Sequence, residues 1–258
     1  MNKVDKLKLC FSCIDLTSLN HTDNENTISA LVEKVNQIGT KFAGIPNVAA
    51  ICVYPSLVSV VKKTLTNKNV KIASVAGGFP ASLTFSDVKI LECTEAVKSG
   101  ANELDIVLPV GEFLQGNYDK VLKEIAFIKQ KTLAHLKVIL ETGTLKTPEM
   151  IEKASWIAME AGADFIKTST GKTEPAATCN AFAVMANAVK SFYEKTGRQV
   201  GLKAAGGIVE ANDAMEYFAI VEDILGENYL NSEYFRIGAS RLANNLLSEI
   251  VGESIKIF

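Results

Sequence analysis

A single α/β domain, a (β/α)8 TIM barrel spanning residues 1–258, is the fold class this sequence predicts, and three observations predict it. The chain has 258 residues, 48% of them hydrophobic and 22% charged, which suits one globular domain of barrel size. Short apolar runs closed by turn residues recur about every thirty residues, with helix-period segments between them. One junction is used twice. Ser99-Gly100-Ala101-Asn102 leads into Glu103–Val107, and Ala161-Gly162-Ala163-Asp164 leads into Phe165–Thr168. Each reads as a helix end, a Gly-Ala-polar turn and a strand, as a repeated β–α unit requires. An open doubly wound sheet is the alternative, but it rarely needs eight such evenly spaced units.

The strands are expected at Leu9–Leu16, Ala49–Tyr54, Lys71–Val75, Glu103–Leu108, Leu136–Leu140, Asp164–Thr168, Val200–Lys203 and Tyr234–Ile237. Of the helices between them, Pro148 to Ala161 is the clearest. Thr147 serves as its N-cap, Pro148 suits the first helical position, and Gly162 ends it. Met150, Ala154, Ile157, Ala158 and Ala161 are expected to line its apolar face. No linker, low-complexity tract or charge block divides the chain.

Composition excludes several function classes. A net charge of −2 provides no global basic field for nucleic acid or an anionic membrane. No apolar stretch approaches the ~18 residues of a membrane span. No long apolar core follows Met1–Lys8, so no signal peptide is expected. The five cysteines, Cys10, Cys13, Cys52, Cys93 and Cys179, read as reduced thiols in the cytoplasm. Cys10 and Cys13 form a lone CxxC. On a strand that spacing places the thiols on opposite faces, so no metal or redox role is expected. The two histidines, His21 and His135, sit in unrelated segments and read as loop or surface residues, whereas a catalytic zinc takes two or three. No metal and no cofactor is expected.

The active site of such a barrel lies at the C-terminal ends of its strands. The polar residues there are Asp15 with Thr17, Cys52, Asp105, Glu141, Lys167 with Thr168 and Ser169, Lys203, and the Gly238-Ala239-Ser240 turn. Lys167 and Lys203 each sit inside an apolar run, on strands taken as next but one to each other. Burial disfavours an ammonium, and two facing one cavity lower each other's pKa. A neutral lysine is the nucleophile a Schiff-base enzyme needs. Residue patterns alone do not say which lysine attacks, and two lysines snorkelling to the rim is the plain alternative. Asp105 is either a salt-bridge partner or a proton-transfer group. Gly206-Gly207 after strand seven and Gly238-Ala239-Ser240-Arg241 after strand eight suggest a phosphate site, because glycines expose backbone N–H groups. Thr168–Thr173 is not a P-loop, since the first glycine of that motif falls on Ile166. Lys172 is instead a loop cation near the phosphate.

The motifs Asp15-Leu16-Thr17, Glu103–Val107, Lys167–Lys172, Gly201–Gly207 and Phe235–Ser240 resemble those of the deoxyribose-phosphate aldolases, in the same order over nearly the whole chain. The resemblance implies a class I, metal-free lyase. It would reversibly cleave 2-deoxy-D-ribose 5-phosphate to D-glyceraldehyde 3-phosphate and acetaldehyde, in deoxyribose phosphate catabolism. It implies Lys167 as the imine-forming residue, Lys203 as the group that lowers its pKa, and Asp105 as a proton carrier acting through water. It further implies phosphate contacts at Lys172, Gly206, Gly207, Gly238 and Ser240, with Asp15, Thr17, Cys52 and Thr170 lining the substrate pocket. The partners so implied are a small phosphosugar and acetaldehyde; a homo-oligomer is allowed. The chain departs from the family pattern at Ala204, where proline is common, at Val209, where arginine is common, and at Arg241, where a second serine is common. Arg241 is expected to replace the positive charge lost at Val209. The closing Lys256-Ile257-Phe258 lacks the terminal tyrosine of some members. Competing readings are another Schiff-base aldolase or transaldolase, an isomerase using Asp105 or Glu141 as base, and a phosphosugar-binding barrel without activity.

Overall fold

The computed structural model describes residues 1–258 and closes eight parallel strands into one barrel in sequence order. They are β1 (Ile14–Thr17), β2 (Ala50–Val53), β3 (Lys71–Ala76), β4 (Glu103–Val107), β5 (His135–Ile139), β6 (Phe165–Lys167), β7 (Gly201–Ala205) and β8 (Phe235–Ala239). Pairing of β1 with β8 closes the ring, Asp15 lying opposite Gly238. The main apolar core lies between the outer faces of the strands and the surrounding helices. No helix is long and apolar enough to cross a membrane.

The first expected strand is wrong over most of its length. Lys3–Ser12 is a helix, capped by Asn2, whose side chain accepts from the Asp5 N–H at 2.9 Å. Leu7, Cys10 and Phe11 are its buried residues, a helical spacing that a short apolar run disguises. The strand begins only at Ile14. Cys10 therefore lies on a helix and Cys13 at its C-cap, both buried, so the opposite-faces argument for the CxxC does not apply. The other strands fall within a few residues of expectation. β8 continues through Gly238 and Ala239, which are strand rather than turn.

The helix Pro148–Glu160 forms as expected, with Thr147 Oγ1 accepting from the Met150 N–H at 3.3 Å. Its buried face includes Ile151 in place of Met150, and also Ser155, whose hydroxyl donates to the Ile151 carbonyl at 2.8 Å. A side-chain to main-chain bond of this kind lets a serine sit in the core. His135 is not a surface or loop residue. It begins β5, and its ring lies 5.4 Å from that of Phe165.

The barrel interior departs from the Val, Ile and Leu layers usual in this fold. Leu19, Ala50, Cys52, Ala73 and Val75 form a small apolar cluster, set largely by β2 and β3. The remaining strands send charged side chains inward.

Candidate active site

In a parallel barrel, residues paired in register on adjacent strands point the same way. β6 and β7 are immediate neighbours, not next but one, and Lys167 pairs with Lys203. Asp105 pairs with Lys137 across β4 and β5, and Lys203 with Arg236 across β7 and β8. Lys167, Lys203, Lys137, Arg236, Asp15, Glu103 and Asp105 are all buried. Unpaired, charges placed this way would cost several kcal/mol each.

They are paired closely. Lys167 Nζ donates to Asp105 Oδ2 at 2.8 Å. Lys203 Nζ donates to the same oxygen at 2.7 Å and to Asp15 Oδ2 at 2.5 Å. Lys137 Nζ donates to Glu103 Oε2 at 2.5 Å and to Asp105 Oδ1 at 3.1 Å. Arg236 reaches Asp15 Oδ1 at 2.6 Å through Nη1, and Glu103 Oε1 at 3.0 Å through Nη2. Gly238 makes room for this packing. A Cβ on it would stand 2.9 Å from Lys203 Cε and 2.9 Å from Ala205 Cβ.

The two site lysines respond oppositely. Burial lowers the pKa of Lys167; Asp105 opposes the shift, the Lys203 charge reinforces it, and the value ends below normal. Burial would lower Lys203 too, but Asp105 and Asp15 outweigh it and hold its proton above the ordinary lysine range. Asp105 is buried, yet Lys137, Lys167 and Lys203 hold its carboxyl well below the usual carboxylate range. Asp15 is lowered likewise, with burial opposed chiefly by Lys203 and Arg236. Burial first, then the Asp105 charge, pushes the Cys52 thiol up to about 11, so it is a neutral wall rather than a nucleophile.

Above this cluster opens a cavity of about 240 Å³. Thr17, Thr170, Lys172, Gly206, Gly207, Gly238, Ser240 and Arg241 line it together with Lys167, and the lining contains no carboxylate. Gly206 has φ +90°, and a Cβ there would meet Ala176 Cβ at 2.7 Å and Gly171 Cα at 3.0 Å. Only glycine lets the loops after β6 and β7 approach so closely. Lys172 Nζ donates to the Leu19 carbonyl at 2.6 Å, tying the loop after β6 to that after β1 across the mouth. Thr17 Oγ1 donates to the Asp15 carbonyl at 2.8 Å. Glu141 accepts from the Thr170 hydroxyl at 2.6 Å and from its N–H at 3.2 Å, which fixes the β6 loop.

The structure thus gathers Lys167, Thr17, Thr170, Lys172, Gly206, Gly207, Gly238 and Ser240 around one cavity, and sets Asp15, Cys52, Asp105 and Lys203 in the barrel interior. Sequence reasoning missed Lys137, Glu103 and Arg236 as site residues. The signal that singled out Lys167 and Lys203, a charge inside an apolar run, is equally present in Leu136–Leu140 and Phe235–Ile237.

Fold and site together define a class: a barrel enzyme with a lysine of lowered pKa at its C-terminal mouth. The profile of the DeoC/LacD family aldolases matches residues 10–223, and the chain belongs to that family of aldolases. The human deoxyribose-phosphate aldolase is 41% identical over 249 residues, covering 92% of this chain and 78% of that protein. The Bos taurus deoxyribose-phosphate aldolase is 39% identical over 251 residues, covering 93% and 79%. Among solved structures, QR15, an aldolase, superposes with a TM-score of 0.77 at 32% identity, covering 94% of this chain and 97% of that one.

Proposed function

We propose that this aldolase cleaves 2-deoxy-D-ribose 5-phosphate reversibly through a lysine imine on Lys167. The observation that carries the reading is the placement of a lysine of lowered pKa at the floor of a cavity whose lining holds Lys172 and Arg241 and no carboxylate. The amine supplies the nucleophile, and the cations and loop N–H groups suit a phosphate.

Lys167 Nζ adds to the aldehyde carbon C1; water leaves and a protonated imine forms. The hydroxyl on C3 loses its proton to a water directed by Asp105. The C2–C3 bond breaks, its electron pair passes into the imine, and glyceraldehyde 3-phosphate departs as the aldehyde. The resulting enamine is protonated at C2, and hydrolysis releases acetaldehyde and restores Lys167. Lys203 keeps its proton throughout and disfavours charge on the free Lys167 amine. Asp105, held by three ammonium groups, is a weak base, so it passes protons on rather than storing them. Thr17 and Thr170 line the cavity at the aldehyde end, with Asp15 and Cys52 buried beneath it. Lys172, Gly206, Gly207, Gly238 and Ser240 hold the phosphate, with Arg241 supplying charge at the mouth.

Borohydride trapping with 2-deoxyribose 5-phosphate, followed by peptide mass mapping, tests the assignment. A reduced adduct on Lys167 is expected. An adduct on Lys203 would reverse the roles of the two lysines, and no adduct on folded protein would refute imine chemistry. The reaction as written uses no metal, so dialysis against EDTA is expected to leave kcat unchanged. The five free thiols, four of them buried, fit a reducing cytoplasm. Leu83, Phe85 and Leu91 stand 84%, 82% and 60% exposed. We assign them to self-association into a homo-oligomer, which sedimentation velocity reads directly.

A further inference from the structure

We propose that Lys137, Glu103 and Arg236 are positioning residues, which close a neutral ring of charge beneath the site and thereby leave Lys167 as the barrel's one surplus cation. The proposal rests on the reading of Lys167 as the imine-forming amine.

The contacts form a cycle. Arg236 bonds Asp15 and Glu103. Lys137 bonds Glu103 and Asp105. Lys203 bonds Asp105 and Asp15. Each of three cations thus touches two carboxylates, and each carboxylate touches two of these cations. One further pair, Lys137 to Asp15 at 3.6 Å, spans the cycle. The ring draws its members from β1, β4, β5, β7 and β8, so it exists only in the closed barrel. Its charges cancel.

Lys167 stands outside it. Its single ion-pair contact is Asp105 Oδ2, an oxygen that Lys203 already occupies. A protonated Lys167 would therefore add an uncompensated charge to a buried and otherwise neutral ring, a state that burial penalises. None of the neighbouring titratable groups forms an ion pair with Lys167 apart from Asp105. From β2, Cys52 stays a neutral thiol. β3 faces the interior with Ala73 and Val75. Glu141, at the end of β5, is engaged by Thr170 and makes no ion pair. His135, at the start of β5, has its pKa lowered by burial and stays neutral at pH 7. The directions of titration divide along the same line. Lys137, Lys203 and Arg236 are raised, with their carboxylates overcoming burial, and Lys167 alone of the four is lowered.

The ring makes opposite demands on two near-isosteric variants. Lys137→Met removes a ring cation, so a protonated Lys167 now compensates the leftover carboxylate. The acid limb of kcat/KM is expected to move to higher pH by about one unit or more, a roughly tenfold loss of neutral amine at pH 7 that alkaline pH restores. Glu103→Gln removes a ring carboxylate and should move the limb to lower pH. The double variant E103Q/K137M removes one charge of each sign and should return the limb to the wild-type position. The pH dependence of Lys167 acylation by an amine reagent gives the same titration without turnover. Circular dichroism establishes folding at each pH.

Limbs that stay in place while rates fall, or that move the same way in both single variants, would overturn the ring and leave a merely structural role. If a single variant does not fold, a double variant displaced by more than about one unit overturns it equally. Failure of the imine reading is separate. It appears as the absence of any borohydride adduct in the wild-type protein, whatever the variants do.

Discussion

Gly238→Ala separates two jobs that a glycine at the end of β8 could hold. As a phosphate ligand it offers only its N–H, which alanine keeps. As a spacer it leaves room for the Lys203 side chain, because a Cβ would stand 2.9 Å from Lys203 Cε and 2.9 Å from Ala205 Cβ. Ordinary carbon contacts begin near 3.5 Å, so something must shift by roughly half an ångström. Ala205 belongs to β7 and gives little, which leaves Lys203 to move. Its Nζ is held at 2.5 Å from Asp15 and 2.7 Å from Asp105, so movement lengthens two charge-assisted bonds. Overpacking a tight site typically costs about 1–3 kcal/mol, which in a chain of this size lowers Tm by roughly 3–10 °C. Thermal unfolding and kcat/KM profiles from pH 5 to 10 read both effects. The expected result is a lower Tm, a fall in kcat and a displaced acid limb, with KM little changed. A variant with wild-type Tm and kcat and only a raised KM would refute the spacer argument and return Gly238 to the phosphate alone.

Three further outcomes follow from the same geometry. Lys203→Met removes an ammonium that lies within about 5.5 Å of Lys167, a repulsion of ~3 kcal/mol at an effective dielectric near 20, so the acid limb of kcat/KM should rise by up to about two units; a uniform loss at every pH would contradict it. Arg241→Ala should raise KM for the phosphorylated sugar several-fold while sparing turnover of unphosphorylated 2-deoxyribose, and an unchanged KM would show that Arg241 does not meet the phosphate. Asp15, Glu103 and Asp105 all have folded pKa values below their unfolded ones, so their stabilisation is complete above about pH 5 and is lost as pH falls below the unfolded values and through the folded ones; Tm followed from pH 7 to 2 should hold roughly level to about pH 5 and then drop, and a Tm rising on acidification would refute the linkage.

The fold was legible because seven of the eight strands are short apolar runs with turn residues on both sides, a pattern that barrel burial imposes. The eighth case shows where that signal fails. Leu9-Cys10-Phe11-Ser12-Cys13-Ile14 is apolar but for Ser12, and over so few residues strand and helix cannot be told apart. Tertiary contact decided it: Leu7, Cys10 and Phe11 turn inward as a helix that packs against the helices Ala211–Leu225 and Leu242–Val251. The upper cavity was legible for a different reason. Its glycines and cations lie in loops at strand ends, and the fold alone carries those ends to one mouth.

The division of labour between the two lysines was not legible, because it depends on pairing across the closure of the barrel. Locally, Lys167 and Lys203 look alike: each follows apolar residues and precedes small ones. They differ in what they touch, one carboxylate against two, and the second carboxylate of Lys203 comes from Asp15, 188 positions away. Arg236, which holds Asp15 from its other oxygen, is 221 positions from it. Neither distance is visible in a run of sequence, and both vanish when β8 meets β1. A charge inside an apolar run therefore marks a residue as part of the interior network, but only the count of opposite charges around it decides whether it keeps its proton. That count is why Lys137 and Arg236, which carry the same sequence signal as Lys167, are held charged by their carboxylates, while Lys167, with one shared carboxylate, is shifted the other way.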